Sequence, residues 1–375
     1  MWMVAEAYTR MRRHRYINVV NTMRLAGIVI AVGFLQGCFG APSIDDTMDE
    51  YTTRLSRVLD KPLSQNEPSL TARRNLALPS QTYPTLSALG NNVTTLNINI
   101  REFYAIQDCE LGRIVAERNT ALGKTQLPSQ RLQYEHRVLN ALVNCEARLD
   151  AADNPIASTM AEWRKQKQAQ YQSVWANVVQ TSTEMKLGLS MAGAPLQASE
   201  NKDAKPSVNA LHFINGLAET LKHESVVEVS ASDSGELEQQ LQIIASSRLP
   251  AKLWQTQAIL HNRLASLNHV LAPALNNVQC KNGITSDKAT ILRNVFYLYF
   301  IEEIQPIAST LNSYHYQLQP LWKEWLENTA LSAPFKAHIR THANDNFAQY
   351  SATMKAHVTL WQDFLGRCNL SPTAN

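Results

Sequence analysis

Cys109 and Cys145 lie equally far from Leu127, within the turn-like stretch Gly123-Lys124-Thr125-Gln126-Leu127-Pro128, and both flanks carry helical patterning. Two antiparallel helices joined at that turn would bring both sulfurs to one height, at the Cα separation of about 5.5 Å that a disulfide needs. The spacing therefore predicts a hairpin of helices over residues 100–122 and 129–149, the second burying Leu132, Leu139, Leu142 and Val143. A Cys109–Cys145 bridge would clamp it, and by elimination Cys280 would pair with Cys368. In a chain-entropy treatment, loops of these lengths correspond to roughly 4 kcal/mol each. A metal or redox centre is the alternative use of four cysteines, but no C-x-x-C pair supports one.

That pairing presupposes an oxidising compartment and a separate use for the fifth cysteine. Arg24 is followed by an eleven-residue apolar run, Leu25 to Leu35, and then by Gln36-Gly37-Cys38. The run is too short for a membrane span, which takes about 20 apolar residues, and fits the apolar core of a secretory signal. With Cys38 just after the small Gly37, it resembles the lipobox of bacterial lipoproteins, departing from it at Gln36, where a small residue is usual. The expected organisation is an upstream over-extension at 1–22, a lipoprotein signal peptide at 23–37, and a mature domain at 38–375 lipidated on Cys38. Two or three acyl chains, each buried methylene contributing about 0.8 kcal/mol, would anchor the domain stably without spanning the bilayer. Phe39 stands where inner-membrane lipoproteins of enteric bacteria carry Asp, so the resemblance implies the periplasmic face of the outer membrane.

Loss of residues 1–37, which hold five Arg and Glu6, changes the count from 35 basic and 32 acidic residues to 30 and 31. No Lys/Arg run follows Arg24, so nucleic acid, which needs a clustered positive surface, is not an expected partner. Glycine is only 13 of 375 residues, a scarcity that favours helices over turn-dense β structure. The predicted fold is all-α: a multi-helix bundle with the antiparallel hairpin, long kinked helices, and at most one or two short strands. Ser43, with Asp45 and Asp46, caps a first helix to about Asp60. Residues 61–92 read as irregular. Thr94 to Ile100 fits either a short strand or a helix entry capped by Asn97 or Asn99. Asn154-Pro155 opens a long helix to about Leu187, with Ile156, Met160, Trp163, Tyr171, Val174 and Val178 facing the core. Gly188 to Ser207 is a candidate hinge, Val226–Val229 a candidate edge strand, and the run 286–327 should kink or break at Pro306 and Pro320.

Few residues point to chemistry. His338 and His342, at i and i+4 with Asp345 beyond, are weak metal candidates, because Arg340 stands between them and the Glu of H-E-x-x-H is absent. Glu302 and Glu303 follow a stretch of aromatics, but adjacent carboxylates diverge on a helix and do not flank a glycosidic bond. Tyr297, Tyr299, Trp322 and Trp325 could line a ligand pocket between helices. Glu117, Arg118 and Asn119 end the first hairpin helix as a candidate recognition patch, set against the plainer reading of a surface ion pair with Arg113. No catalytic set and no cofactor is expected.

Asp49-Glu50-Tyr51, Asp108-Cys109-Glu110-Leu111, Ala116-Glu117-Arg118-Asn119 with Leu122-Gly123, Pro128-Ser129-Gln130-Arg131-Leu132, Asn294-Val295-Phe296 and Gln305-Pro306 together resemble a family of gammaproteobacterial envelope lipoproteins known only as a domain of unknown function. The resemblance implies a lipoprotein, brings no activity or cofactor, and raises interest in Glu117 to Asn119. The leading expectation is a non-enzymatic, lipid-tethered periplasmic protein that binds another envelope component, such as an envelope protein. The alternative is an enzyme or small-ligand binder acting on envelope substrates near Glu117–Asn119.

Overall fold

Ser43 starts the first helix by reciprocal capping: its Oγ accepts from the Asp46 N–H at 3.2 Å, and its own N–H donates to Asp46 Oδ2 at 3.1 Å. The Ser43 hydroxyl, donating to Asp46 Oδ2 at 2.7 Å, and after it the Ser43 N–H hold the Asp46 carboxyl below its ordinary range. The helix, α1 (Ile44–Leu59), buries Ile44, Met48, Tyr51 and Leu55, one stripe at helical spacing. The computed structural model describes residues 43–63, 78, 82–190, 194–197, 201–218, 233–280 and 284–371. Cys38, the segments expected at 1–22 and 23–37, and Val226–Val229 lie outside the described residues, as does most of 64–81.

Every regular element among the described residues is helical, and none is a strand. After α1 come α2 (Leu86–Leu89), α3 (Ile100–Ile106), α4 (Glu110–Arg118), α5 (Ala121–Lys124), α6 (Pro128–Asp150), α7 (Ile156–Thr181), α8 (Thr183–Leu189), α9 (Ala204–Gly216), α10 (Asp233–Ser247) and α11 (Leu249–Asn276). Two interrupted helices close the chain. One is α12 (Asp287–Val295), which passes through a π-helical stretch, Phe296–Ile304, into α13 (Gln305–Glu327). The other is α14 (Ala333–Ile339), which passes through Arg340–Asp345, also π-helical, into α15 (Asn346–Arg367).

The hairpin forms, but its first arm is not the single helix expected over 100–122. The chain leaves helical geometry at Cys109 (φ −95°, ψ 152°), which caps α4. There α3 folds back so closely that a Cβ on Gly112 would lie 2.6 Å from Ile106 O and 2.9 Å from Gln107 Cα. Only glycine permits that approach. The Cys109–Cys145 disulfide, Cα–Cα 5.7 Å, therefore ties the start of α4 to α6, and Cys280–Cys368, Cα–Cα 5.2 Å, ties the chain after α11 to the end of α15.

The helix expected to run from Pro155 to Leu187 stops at Thr181. Ser182 is extended (φ −68°, ψ 146°), its hydroxyl donating to Val178 O at 2.7 Å, and α8 restarts in a new direction. Pro306 does not break the run 286–327. The π-helical stretch ends two residues before it, and the widened turn brings the proline, which lacks an N–H, into the first turn of α13, where that donor is not required. Pro320 lies inside α13.

One large apolar core holds Tyr51, Trp175, Trp254, Phe300, Trp322 and Trp361. A second, smaller cluster forms where α4, α6 and α7 meet, around Ile106, Leu111, Ile114, Leu142, Met160 and Trp163. The candidate site lies beside this second cluster. No helix among the described residues is long and apolar enough to cross a membrane.

Candidate functional site

Residues 90–99 run as an extended strap along α7. Asn91 N donates to Asn177 Oδ1 at 2.7 Å and Asn177 Nδ2 returns to Asn91 O at 3.0 Å. Further along, Gln166 Nε2 donates to Thr94 Oγ1 at 3.0 Å and Lys167 Nζ to Thr94 O at 3.1 Å. The strap enters α3 through Asn99, whose Oδ1 accepts from the N–H groups of Arg101 and Glu102, both at 3.0 Å. Of the two readings of Thr94 to Ile100, the capped helix entry is the one that forms.

Between the strap, α3, the end of α4, α5, the start of α6 and α7 lies a cleft of about 680 Å³. The strap and α3 give it an apolar wall of Leu96, Ile98 and Phe103. The opposite elements contribute Arg118, Lys124, Arg131 and Lys167, with the Tyr134 ring among them. The Arg118 and Arg131 guanidinium carbons sit 5.4 Å and 5.3 Å from the Tyr134 ring centre, in cation–π range.

Glu135, behind the cleft, is the counter-charge. Lys167 Nζ lies 3.0 Å from its Oε2, Arg131 also pairs with it, and both Lys167 and Glu135 are almost wholly buried. Among the described residues, no carboxylate lines the cleft itself. Burial, and after it the neighbouring Arg131, pushes the Arg118 guanidinium below its ordinary pKa. Burial likewise lowers the Lys167 ammonium, with Glu135 opposing the shift and Arg131 and Arg118 adding to it. Arg131 Nε is buried with no hydrogen-bond partner among the described residues. Crowded, partly desolvated cations are stabilised by an added anion, and the planar fork of arginine suits phosphate or carboxylate.

The patch read at Glu117 to Asn119 is thus divided by the helix on which it lies. Arg118 and Asn119 line the cleft, whereas Glu117 does not and instead meets Arg113 Nη1 at 2.5 Å and Arg137 Nη2 at 3.0 Å on the exposed side of α4. Arg113 bridges onward to Glu110, which is the surface ion-pair reading of the same residues.

The candidate histidines and tryptophans are absorbed by packing, while Glu302 and Glu303 are exposed. His342 stacks on Trp254, ring centres 5.1 Å apart, and His338 Nε2 bonds Leu189 O at 2.9 Å, while Asp345 is exposed. Burial pushes His338 down to about 4. No group of three His, Cys, Asp or Glu among the described residues is placed to hold a metal. Trp322 and Trp325 are buried in the large core, with Trp325 Nε1 donating to Asn215 Oδ1 at 2.8 Å, so they do not line an open pocket.

A family model described as "Protein of unknown function (DUF3080)" matches residues 48–372. The chain belongs to this family. No match was found among curated proteins or among solved structures. The DUF3080 match begins within α1 and runs past α15, so it contains both disulfides and every residue of the cleft.

In this DUF3080 chain, sequence reasoning missed Lys124, Arg131, Tyr134, Glu135 and Lys167. A signal for two of them was present. Lys167 falls in step with the apolar series Met160, Trp163, Tyr171 and Val174, and Glu135 interrupts the stripe between Leu132 and Leu139. A charge at a core position of each of two facing helices calls for a buried pair.

Proposed function

We propose that this protein is a lipid-anchored periplasmic protein, tethered through Cys38 to the outer membrane, that binds an anionic small ligand of the cell envelope in the cleft between the strap and α4–α7. The observation that carries the ligand part is the convergence of Arg118, Arg131 and Lys167, from three helices, around one buried carboxylate. Of the two envelope-binding readings, a macromolecular partner and a small ligand, a recessed cation-lined cleft of this volume favours the small ligand. Acid–base chemistry at Glu117 has no support, since that carboxylate is engaged by Arg113 and Arg137 outside the cleft. The anchor rests on the lipobox-like Leu35-Gln36-Gly37-Cys38.

Thermal unfolding of the purified chain with glycerol 3-phosphate tests the ligand part. The melting temperature should rise with concentration and saturate for the native protein, but not for Arg131→Gln. A flat response in the native protein, or an equal one in the variant, refutes it. Labelling of cells with radioactive palmitate tests the anchor: label should enter the native chain and not Cys38→Ala, and an unlabelled native chain refutes it.

A further inference from the structure

The cleft has two chemically distinct walls, and at its rim the apolar one continues outward. Leu96, Ile98 and Phe103 face a cavity whose opposite side carries Arg118, Arg131 and Lys167. Ile100, which also lines the cleft, is 71% exposed, and Tyr104, one turn along α3, is 62% exposed. These two form an exposed apolar ridge on α3, whose Phe103 and Ile106 pack into the smaller core, so a ligand held at the cationic wall could extend along hydrophobic surface as it leaves the cleft.

From this juxtaposition we propose that the ligand is an amphiphile with a phosphate head group, the head held by Arg118 and Arg131 and the apolar portion lying on Ile98, Phe103 and Ile100. The assignment deepens, and rests on, the anion-binding reading above. A free phosphate or a small phosphorylated solute shares the head-group chemistry and would satisfy the cations but leave the apolar wall uncovered. Burial of even part of an acyl chain against that wall adds hydrophobic stabilisation that a free phosphate cannot supply, so the two sources differ in affinity by a measurable margin. A zwitterionic head group such as phosphocholine brings its own cation toward Arg118 and Arg131 and is disfavoured.

Calorimetric titration of the full chain with three probes tests the assignment: dihexanoylphosphatidic acid below its micellar concentration, glycerol 3-phosphate, and dihexanoylphosphatidylcholine. Phosphatidic acid should bind at least about tenfold tighter than glycerol 3-phosphate, and phosphatidylcholine should bind at least about tenfold weaker than phosphatidic acid, each factor corresponding to about 1.4 kcal/mol. Ile100→Ser, which alters an exposed side chain and so spares the fold, should weaken phosphatidic acid several-fold while leaving glycerol 3-phosphate unchanged. Equal affinity for phosphatidic acid and glycerol 3-phosphate, or equal loss of both in Ile100→Ser, would overturn the amphiphile assignment and leave the anion reading intact. Equal affinity for phosphatidylcholine would overturn the phosphate-charge component. Binding of none of the three would overturn both readings.

Discussion

Lys167 Nζ lies 3.0 Å from Glu135 Oε2 with almost all of both side chains removed from solvent, so a buried ion pair behind the cleft joins α6 to α7. Lys167 also donates to Thr94 O, and one ammonium therefore fastens the strap as well. Removing Glu135 leaves the buried Lys167 without its counter-charge and costs about 3–5 kcal/mol, whereas removing Lys167 leaves Glu135 paired with Arg131 and costs less. Urea denaturation should show the larger loss for Glu135→Leu and the smaller for Lys167→Met, and the double variant should lose clearly less than their sum. Additive losses would mean that the two groups are not coupled.

Gly112 sets the angle between α3 and α4. Gly112→Ala places a methyl group inside the contact with Ile106 O and Gln107 Cα, neither of which is a flexible side-chain end, and should destabilise the protein by about 1–3 kcal/mol. Gly216→Ala, where a Cβ meets nothing within 4 Å, is the control and should be neutral or stabilising by about 0.5–1 kcal/mol. The difference in urea midpoint between the two variants reads the effect.

Acid sensitivity follows from the buried imidazoles. Burial pushes His315 and His338 down to about 4 and His357 to about 3, against 6.5 for an ordinary imidazole. The unfolded chain then takes up protons that the folded chain refuses. Stability is therefore full above pH about 6.5 and falls as the pH drops from there toward 3–4, by up to about 1.4 kcal/mol per pH unit for each group. His357 is the deepest: its Nδ1 faces Asn268 Oδ1 at 2.6 Å, and its Nε2 lies 3.0 Å from the Tyr51 hydroxyl and 3.1 Å from the donating Trp361 Nε1. His357→Gln should lower stability at pH 7 and flatten the acid limb. A pH–stability curve with unchanged slope would show that this imidazole does not titrate as stated.

The Cys109–Cys145 bridge fixes α4, and with it Arg118, against α6. Replacing both cysteines with alanine should cost about 2–5 kcal/mol and weaken binding of glycerol 3-phosphate by loosening the cationic wall. The corresponding change at Cys280 and Cys368, remote from the cleft in the chain, should destabilise the protein while leaving affinity near native.

What was legible in the sequence was local or fixed by symmetry. Ser43 with Asp46 and Asn154 before Pro155 announce helix starts through short-range capping chemistry, and the equal spacing of Cys109 and Cys145 about Leu127 indicates an antiparallel return. The break at Gln107–Cys109 was not legible, because it depends on how closely Gly112 approaches Ile106, a matter of backbone packing that hydrophobic period does not record. The π-helical passage before Pro306 was hidden in the same way: proline signals an obstacle, not the means by which the chain accommodates it. Two residues of the Glu117–Asn119 patch enter the cleft and the third does not, because side chains at successive helical positions diverge by about 100°. The remaining cations, from α5, α6 and α7, converge only through tertiary packing, although Lys167 amid Trp163 and Tyr171 already indicated that a charge is buried there.

Whether Arg118 and Arg131 receive an anion together is read directly from the side-chain Nε–Hε resonances of arginine-labelled protein during titration with glycerol 3-phosphate. The Arg118 and Arg131 resonances should shift saturably along one binding curve, with those of Arg54 and Arg164, paired elsewhere with Glu50 and Glu146, unmoved. Shifts confined to surface arginines, or none at Arg118 and Arg131 up to saturating ligand, would refute joint anion binding by this pair.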